Sequence, residues 1–178
     1  MFAQLSRFGQ ILVTGPQRSG TTICAMMIAH DLGYRFLPEE VVSVRSLDAA
    51  RRLLAEESEF VLQCPGLCRW IHELAGPEVA VVLMRRPLAE ILESQQRIGW
   101  TGRRMQRELA GYGLTEGCIA QVKYDFWASH QRALIPNAFE IEYASLADHP
   151  LWLDKEARAG FGPRQVELGC KRVKCRRF

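Results

Sequence analysis

The chain has 178 residues, 48% apolar and 24% charged, values ordinary for a globular protein and sufficient for a single domain with a sizeable core. No apolar run approaches the roughly 18 residues of a membrane span, and the start, MFAQLSRFGQ, is too short and too polar for a secretion signal, so a cytoplasmic location with no membrane partner is expected. Net charge is +3, but the last nine residues, CKRVKCRRF, carry five basic side chains and no acid, leaving the rest at −2; the body is not a nucleic-acid-binding surface by composition, and the basic tail 170–178 reads as a solvated terminal run.

Apolar runs alternate with helical patterns along the chain. QILVTG (10–15) reads as a buried strand, TTICAMMIAHDLG (21–33) as a helix capped by Gly33, and YRFLP (34–38) as a short strand. SLDAARRLLAEE (46–57) reads as a helix with Ser46 at its N-cap, EFVLQCP (59–65) as a strand, and LCRWIHELAG (67–76) as a short helix. EVAVVLMRRP (78–87) is the clearest strand, because its continuous apolarity implies burial on both faces. Pro87 opens a helix at its favoured first position. Residues 98–114 are glycine-rich and basic and read as a mobile segment. TEGCIAQVKYDFWASHQRAL (115–134) reads as one long helix, NAFEIEY (137–143) as the last strand, and SLADHPLWLDKEARAG (145–160) as a final helix. The expected fold is a three-layer α/β/α sandwich with a mainly parallel sheet of four or five strands. Its ligands should sit at the carboxyl ends of the strands.

Six cysteines without a CxxC pair read as reduced thiols. Cys64, Cys68 and His72 are spaced to meet on one helical face, but no fourth ligand is evident. Cys64 therefore reads as a strand end, Cys68 as packing, and no metal is expected.

The chemistry is concentrated in VTGPQRSGTT, where Gly15 and Gly20 bracket four residues between a strand and a helix. Backbone N–H groups in such a loop form an anion nest, reinforced by the N-terminus of the following helix. A nucleotide triphosphatase carries lysine after the second glycine, to reach the terminal phosphates, and a strand-end aspartate for magnesium. Here that position is Thr21, the basic residue is Arg18, and the strands end VLQCP and VLMRRP. Arg85 and Arg86 at the same sheet edge, with Ser94 in the next helix, suit a second anion. A ligand with two separated anionic groups and no need for magnesium fits this edge best.

GPQRSGTT followed by RRPLAEILESQ resembles the sulfotransferase superfamily, and IEYASLADHP is similar to its late Tyr-x-x-Leu-x-x-x-Pro segment. The resemblance implies a short bacterial-type member with a P-loop fold, a sulfotransferase moving a sulfuryl group from 3′-phosphoadenosine 5′-phosphosulfate (PAPS) to an acceptor hydroxyl or amine on a small molecule, sugar or peptide. Gly15, Pro16, Gln17, Arg18, Ser19, Gly20, Thr21 and Thr22 would hold the 5′ end of the donor. Arg85 or Arg86, with Ser94, would hold the 3′-phosphate; the serine spacing matches Arg86, but the proline, which fixes the strand end, makes Arg85 the first choice. Arg18 would stabilise the leaving phosphate. The family's histidine base has Gln63 in its place, and LPEEVV matches the branch that uses a glutamate after the first helix, so Glu40, then Glu39, are the candidate bases. Two other readings stay open: a magnesium-dependent P-loop kinase or hydrolase, and a non-catalytic nucleotide-binding module. Trp100 reads as a packing residue or as a wall of the acceptor pocket.

Overall fold

The computed structural model describes residues 1–40, 46–100, 102–154 and 156. Five strands form one parallel sheet: β1 (Gln10–Thr14), β2 (Arg35–Leu37), β3 (Phe60–Gln63), β4 (Val79–Arg85) and β5 (Ala138–Glu142), in the order β2-β3-β1-β4-β5. The registry places Val13 beside Gln63 and Thr14 beside Leu83, so β1 and β3 end within one residue of each other while β4 runs two residues further, to Arg85. From β1 the chain crosses to one side of the sheet, and from β4 to the other. The crevice between their carboxyl ends is the switch point at which such sheets bind ligands.

Alternate residues of each central strand feed two cores. Ile11, Val13, Val61, Val82 and Met84 pack under α1 (Thr21–Leu32) together with Phe2, Leu5 and Phe8 of the N-terminal segment. Leu12, Leu62, Val81 and Leu83 face the opposite layer. That layer holds α2 (Leu47–Glu56), a 3-10 segment (Pro65–Leu74), α3 (Leu88–Arg97) and α5 (Ile119–Phe126). The result is the three-layer sandwich, with full burial on both faces explaining the unbroken apolar run of β4. Among the described residues, no helix is long and apolar enough to cross a membrane.

The first half follows the sequence pattern closely: Gly33 caps α1 in the left-handed conformation and Ser46 Oγ accepts from Ala49 N–H at the start of α2. The second half departs from it. The glycine-rich segment contains a helix, α4 (Arg103–Gly111), bounded by Gly102 and Gly113 at positive φ. Its interior is made of strong helix formers, and Leu109 is buried. The long helix of 115–134 is instead α5 followed by a π-helical turn at Trp127–Gln131, because Gly117, at φ 127°, keeps 115–117 out of the helix. The extra residue of that turn lets Trp127 Nε1 donate to Glu140 while Gln131 Nε2 reaches the carbonyls of Cys68 and Arg69. Residues 143–153 form two short pieces, a 3-10 turn (Tyr143–Leu146) and α6 (Pro150–Leu153), since Pro150 starts a new helix. Pro87 is the N-cap of α3 rather than its first helical residue. The remainder of the expected final helix, and the basic tail, lie outside the described residues.

Candidate active site

Residues 15–20 connect β1 to α1 in the tight path that the two glycines permit. Gly15, at φ 143°, lies where a Cβ would stand 3.1 Å from Met84 O and 3.0 Å from Ser19 Oγ. Gly20, at φ 100°, lies where a Cβ would collide with the ring of Tyr143. Arg18 itself takes a positive φ of 75°, a rare conformation for a residue with a side chain. Gly20 offers no side-chain cap, and no acid occupies the first turn of α1. The N–H groups of that turn thus present a partial positive charge. Ser19 Oγ is buried within the loop without a hydrogen-bond partner, an orphaned polar atom of the kind a bound anion satisfies.

On the β4 side, three sequence candidates converge. Arg18 Nε donates to Ser94 Oγ at 3.0 Å, and Arg86 Nη1 donates to the Arg18 carbonyl at 3.0 Å. Ser94 is buried, and Arg86 is held by Glu90 at 2.9 Å and by the ring of Tyr143, 4.1 Å from its guanidinium carbon. Tyr124 clamps the strand end beneath: its hydroxyl accepts from Arg86 N–H and donates to Met84 O. Burial pushes that phenol up to about 12, so it stays a donor at neutral pH. Arg85 turns away, stacking on Tyr124 and facing Glu140 at 3.7 Å. The geometry therefore joins Arg86 and Ser94 to the loop and leaves Arg85 outside.

The other side of the loop opens into a cleft of about 710 Å³. Glu39, Glu40 and Gln17 are among its walls. Glu39 follows β2, and its Oε1 accepts Gly66 N–H at 3.0 Å while its own N–H donates to Gln63 Oε1. Gln63 also donates to Thr21 Oγ1 at 3.4 Å. Burial raises the Glu39 carboxyl above the usual carboxylate range; the Gly66 N–H opposes this, and the neighbouring Glu40 adds to it. Glu40 is exposed.

Two residues that sequence reasoning missed tie the cleft to the loop. Lys123, buried on α5, places Nζ 2.6 Å from Gln17 Oε1 and 2.6 Å from Glu108 Oε2 on α4. Gln17 Nε2 donates in turn to Glu108 Oε1 at 2.6 Å. Nothing in the sequence sets Lys123 apart from other helical lysines; only its i+4 neighbour on a buried face, Trp127, hints that it points inward.

The cysteine spacing leads elsewhere. Burial pushes the thiols of Cys24, Cys64 and Cys68 upward, as expected of packing residues. His72 Nδ1 meets Gln131 Nε2 at 3.1 Å. Among the described residues, the group with metal-ligand spacing is His30, Asp31 and His149, at the far end of α1 from the loop. There His149 Nδ1 accepts Leu151 N–H and caps α6, which places its proton on Nε2, 2.9 Å from Asp31.

Neither a known family's sequence profile nor any curated protein matches this chain. Solved structures do. A shikimate kinase from Acinetobacter baumannii, solved with shikimate, is 16% identical with a TM-score of 0.53, over 79% of this chain and 86% of that one. A sulfotransferase domain from the curacin biosynthetic pathway is 18% identical with a TM-score of 0.42, over 90% of this chain and 76% of that one. A sugar kinase from Janibacter, unliganded, is 14% identical with a TM-score of 0.40, over 88% and 96%. The likeness to the shikimate kinase shows the fold: a five-stranded parallel α/β sheet with a glycine-rich loop at its first strand–helix junction.

Proposed function

We propose that this chain is a metal-independent sulfotransferase, moving the sulfuryl group of PAPS to an acceptor hydroxyl or amine. The observation that carries the reading is the convergence of Arg18, Arg86 and Ser94 beside a loop whose lysine position is Thr21. The loop and the start of α1 suit the 5′-phosphosulfate, with Ser19 Oγ gaining the partner it lacks. Arg86 and Ser94 suit the 3′-phosphate, which Arg86 can grip with two N–H groups.

In this reading the acceptor oxygen attacks sulfur in line. The bond from sulfur to the 5′-phosphate oxygen breaks, and its electron pair leaves with adenosine 3′,5′-bisphosphate. The acceptor proton passes to Glu39, whose raised pKa brings its basicity closer to the working pH. Glu39 takes precedence over Glu40 because it is half-buried and fixed by Gly66, whereas Glu40 is exposed. Arg18 and the loop N–H groups stabilise the charge that develops on the leaving phosphate.

The test is thermal stabilisation by adenosine 3′,5′-bisphosphate and by ATP, each with and without magnesium. A ligand at a hundredfold excess over its Kd adds about 2.7 kcal/mol to the native state. The bisphosphate is expected to raise Tm regardless of magnesium. A rise only with magnesium-ATP would replace this reading with phosphoryl transfer.

A further inference from the structure

The cleft beyond Glu39 has a chemical character of its own. Its walls carry three arginines: Arg69 on the 3-10 segment, and Arg104 and Arg107 on α4. Arg104 and Arg107 are three residues apart and so share a helix face. None of the three meets a carboxylate among the described residues, whereas Arg85 and Arg86 at the end of β4 each face one. Lys123 and Glu108 pair with each other at 2.6 Å, and although Glu39 and Glu40 also line the cleft, the guanidinium groups of Arg69, Arg104 and Arg107 are in ion-pair contact with no carboxylate among the described residues. Arg69 is also positioned: its guanidinium lies 4.8 Å from the ring of Trp70, and its Nη1 would stand 2.8 Å from a Cβ on Gly111. Glycine there lets the Arg69 fork lie against α4. Trp70 and Trp100 supply aromatic faces in the same cleft.

The cleft meets the loop at Gln17, but Arg86 and Ser94 are not among its walls, so it is a volume separate from the Arg86–Ser94 side. At about 710 Å³ it suits a ligand of one or two rings. Glu39 and the three arginines are walls of the same cleft. A neutral acceptor would leave the three cations without partners, whereas an anionic group would meet forks that bind carboxylate bidentately.

We infer that the acceptor is a hydroxylated ring compound bearing a carboxylate, its acid gripped by Arg69, Arg104 and Arg107, its ring against Trp70 and Trp100, and its hydroxyl directed at Glu39. This rests on the transfer reading above, but the binding it implies needs no donor. The experiment titrates the purified chain, by calorimetry and tryptophan fluorescence, with acid and methyl-ester pairs. The pairs are 4-hydroxybenzoate, 4-hydroxyphenylacetate and 6-hydroxy-2-naphthoate as aromatic acids, and glucuronate as a saccharide acid. At least one acid is expected to bind at least about tenfold more tightly than its ester, as charge-assisted hydrogen bonds require. Arg104→Gln with Arg107→Gln should abolish that preference. Arg103→Gln, on the same helix but outside the cleft, should retain it. Which pair shows the preference separates aromatic from saccharide acceptors. No acid preference in any pair, or a preference that survives the double substitution in a folded protein, overturns the inference. Bisphosphate binding is measured on the same samples. An acid preference without bisphosphate binding supports this inference while removing the sulfuryl donor, and bisphosphate binding without an acid preference does the reverse.

Discussion

On one side of the loop, Arg18 meets residues whose positions are set by the sheet: Arg86 follows the last residue of β4, and Ser94 lies two turns into the helix that follows it. On the other side, Gln17 meets Glu108 on α4, a helix outside the sheet that touches the loop only through side chains. The two neighbouring loop residues thus face two kinds of construction. The first is fixed by hydrogen-bonded strand registry, which couples β1 to β4 residue by residue. The second is held by side chains: the Gln17–Glu108 hydrogen bond, the buried Lys123 between them, and Leu109. The side held by the sheet suits a donor of fixed shape, and the side held by side chains suits an acceptor that differs between proteins of one fold.

The sharpest way to separate the sides is at Glu39. Glu39→Gln is expected to lower kcat/KM by about 10²–10⁴, the usual worth of a positioned base, while leaving bisphosphate affinity unchanged. If Glu39 is the base proposed above, the parent protein's kcat/KM should rise with pH through a limb above the ordinary carboxylate range, because such a base works only when ionised and burial opposes ionisation. That limb should vanish in the variant. Stability should move the other way. A carboxyl whose folded pKa is raised favours the fold below its unfolded value and loses that contribution as pH rises through the folded value. At neutral pH the ionised Glu39 is therefore a liability that glutamine lacks. The variant's Tm should exceed the parent's at pH 7.5, and the gap should close below about pH 4, where both states of the parent carboxyl are protonated. A pH-independent gap would mean that the stability change has another origin.

Next in size is the lysine that holds the second side. Lys123→Met removes the partner of Glu108 and of Gln17 Oε1 in a site where the lysine is 3% exposed. Removing one member of a fully buried pair costs about 3–5 kcal/mol. Glu108 is 28% exposed and regains water, so the expected loss is about 2 kcal/mol by denaturant unfolding. In the folded variant, acceptor affinity should fall as α4 loosens, while bisphosphate affinity should stay as in the parent. Equal loss of both would mean that the lysine braces the loop as a whole.

The same division governs what was legible in the sequence. β1, α1, β3 and β4 could be read because their residues are buried on both faces, which leaves long apolar runs bounded by Gly15, Gly33 and Pro65. The loop and its Arg18 could be read because their spacing follows the backbone. α4 could not, because only Leu109 anchors its apolar side and its flanking glycines outweigh a helix of nine residues. Lys123 and Glu108 could not, because a buried ion pair between two helices leaves no periodic trace. Gln63 was noticed only as a missing histidine, yet it links Glu39 N–H to Thr21 and so spans the two sides.

The smallest expected effect tests the first side, where two adjacent arginines are separated by strand alternation alone. Arg86→Ala should weaken bisphosphate binding about tenfold, the lower range for a charge-assisted hydrogen bond. Arg85→Ala should change it by less than about twofold, since its 3.7 Å contact with Glu140 is a part-exposed pair of the kind worth little. Alanine at 86 also removes the donor to the Arg18 carbonyl, so part of any loss is a loosened loop rather than a missing phosphate contact. Arg86→Lys separates the two causes: it keeps the charge but removes the fork. If the 3′-phosphate sits on Arg86, lysine should restore only part of the affinity for adenosine 3′,5′-bisphosphate and should bind adenosine 5′-phosphate as the parent does. If Arg86 serves only to brace the loop, both nucleotides should weaken together, and the second anion site would have to be sought away from β4.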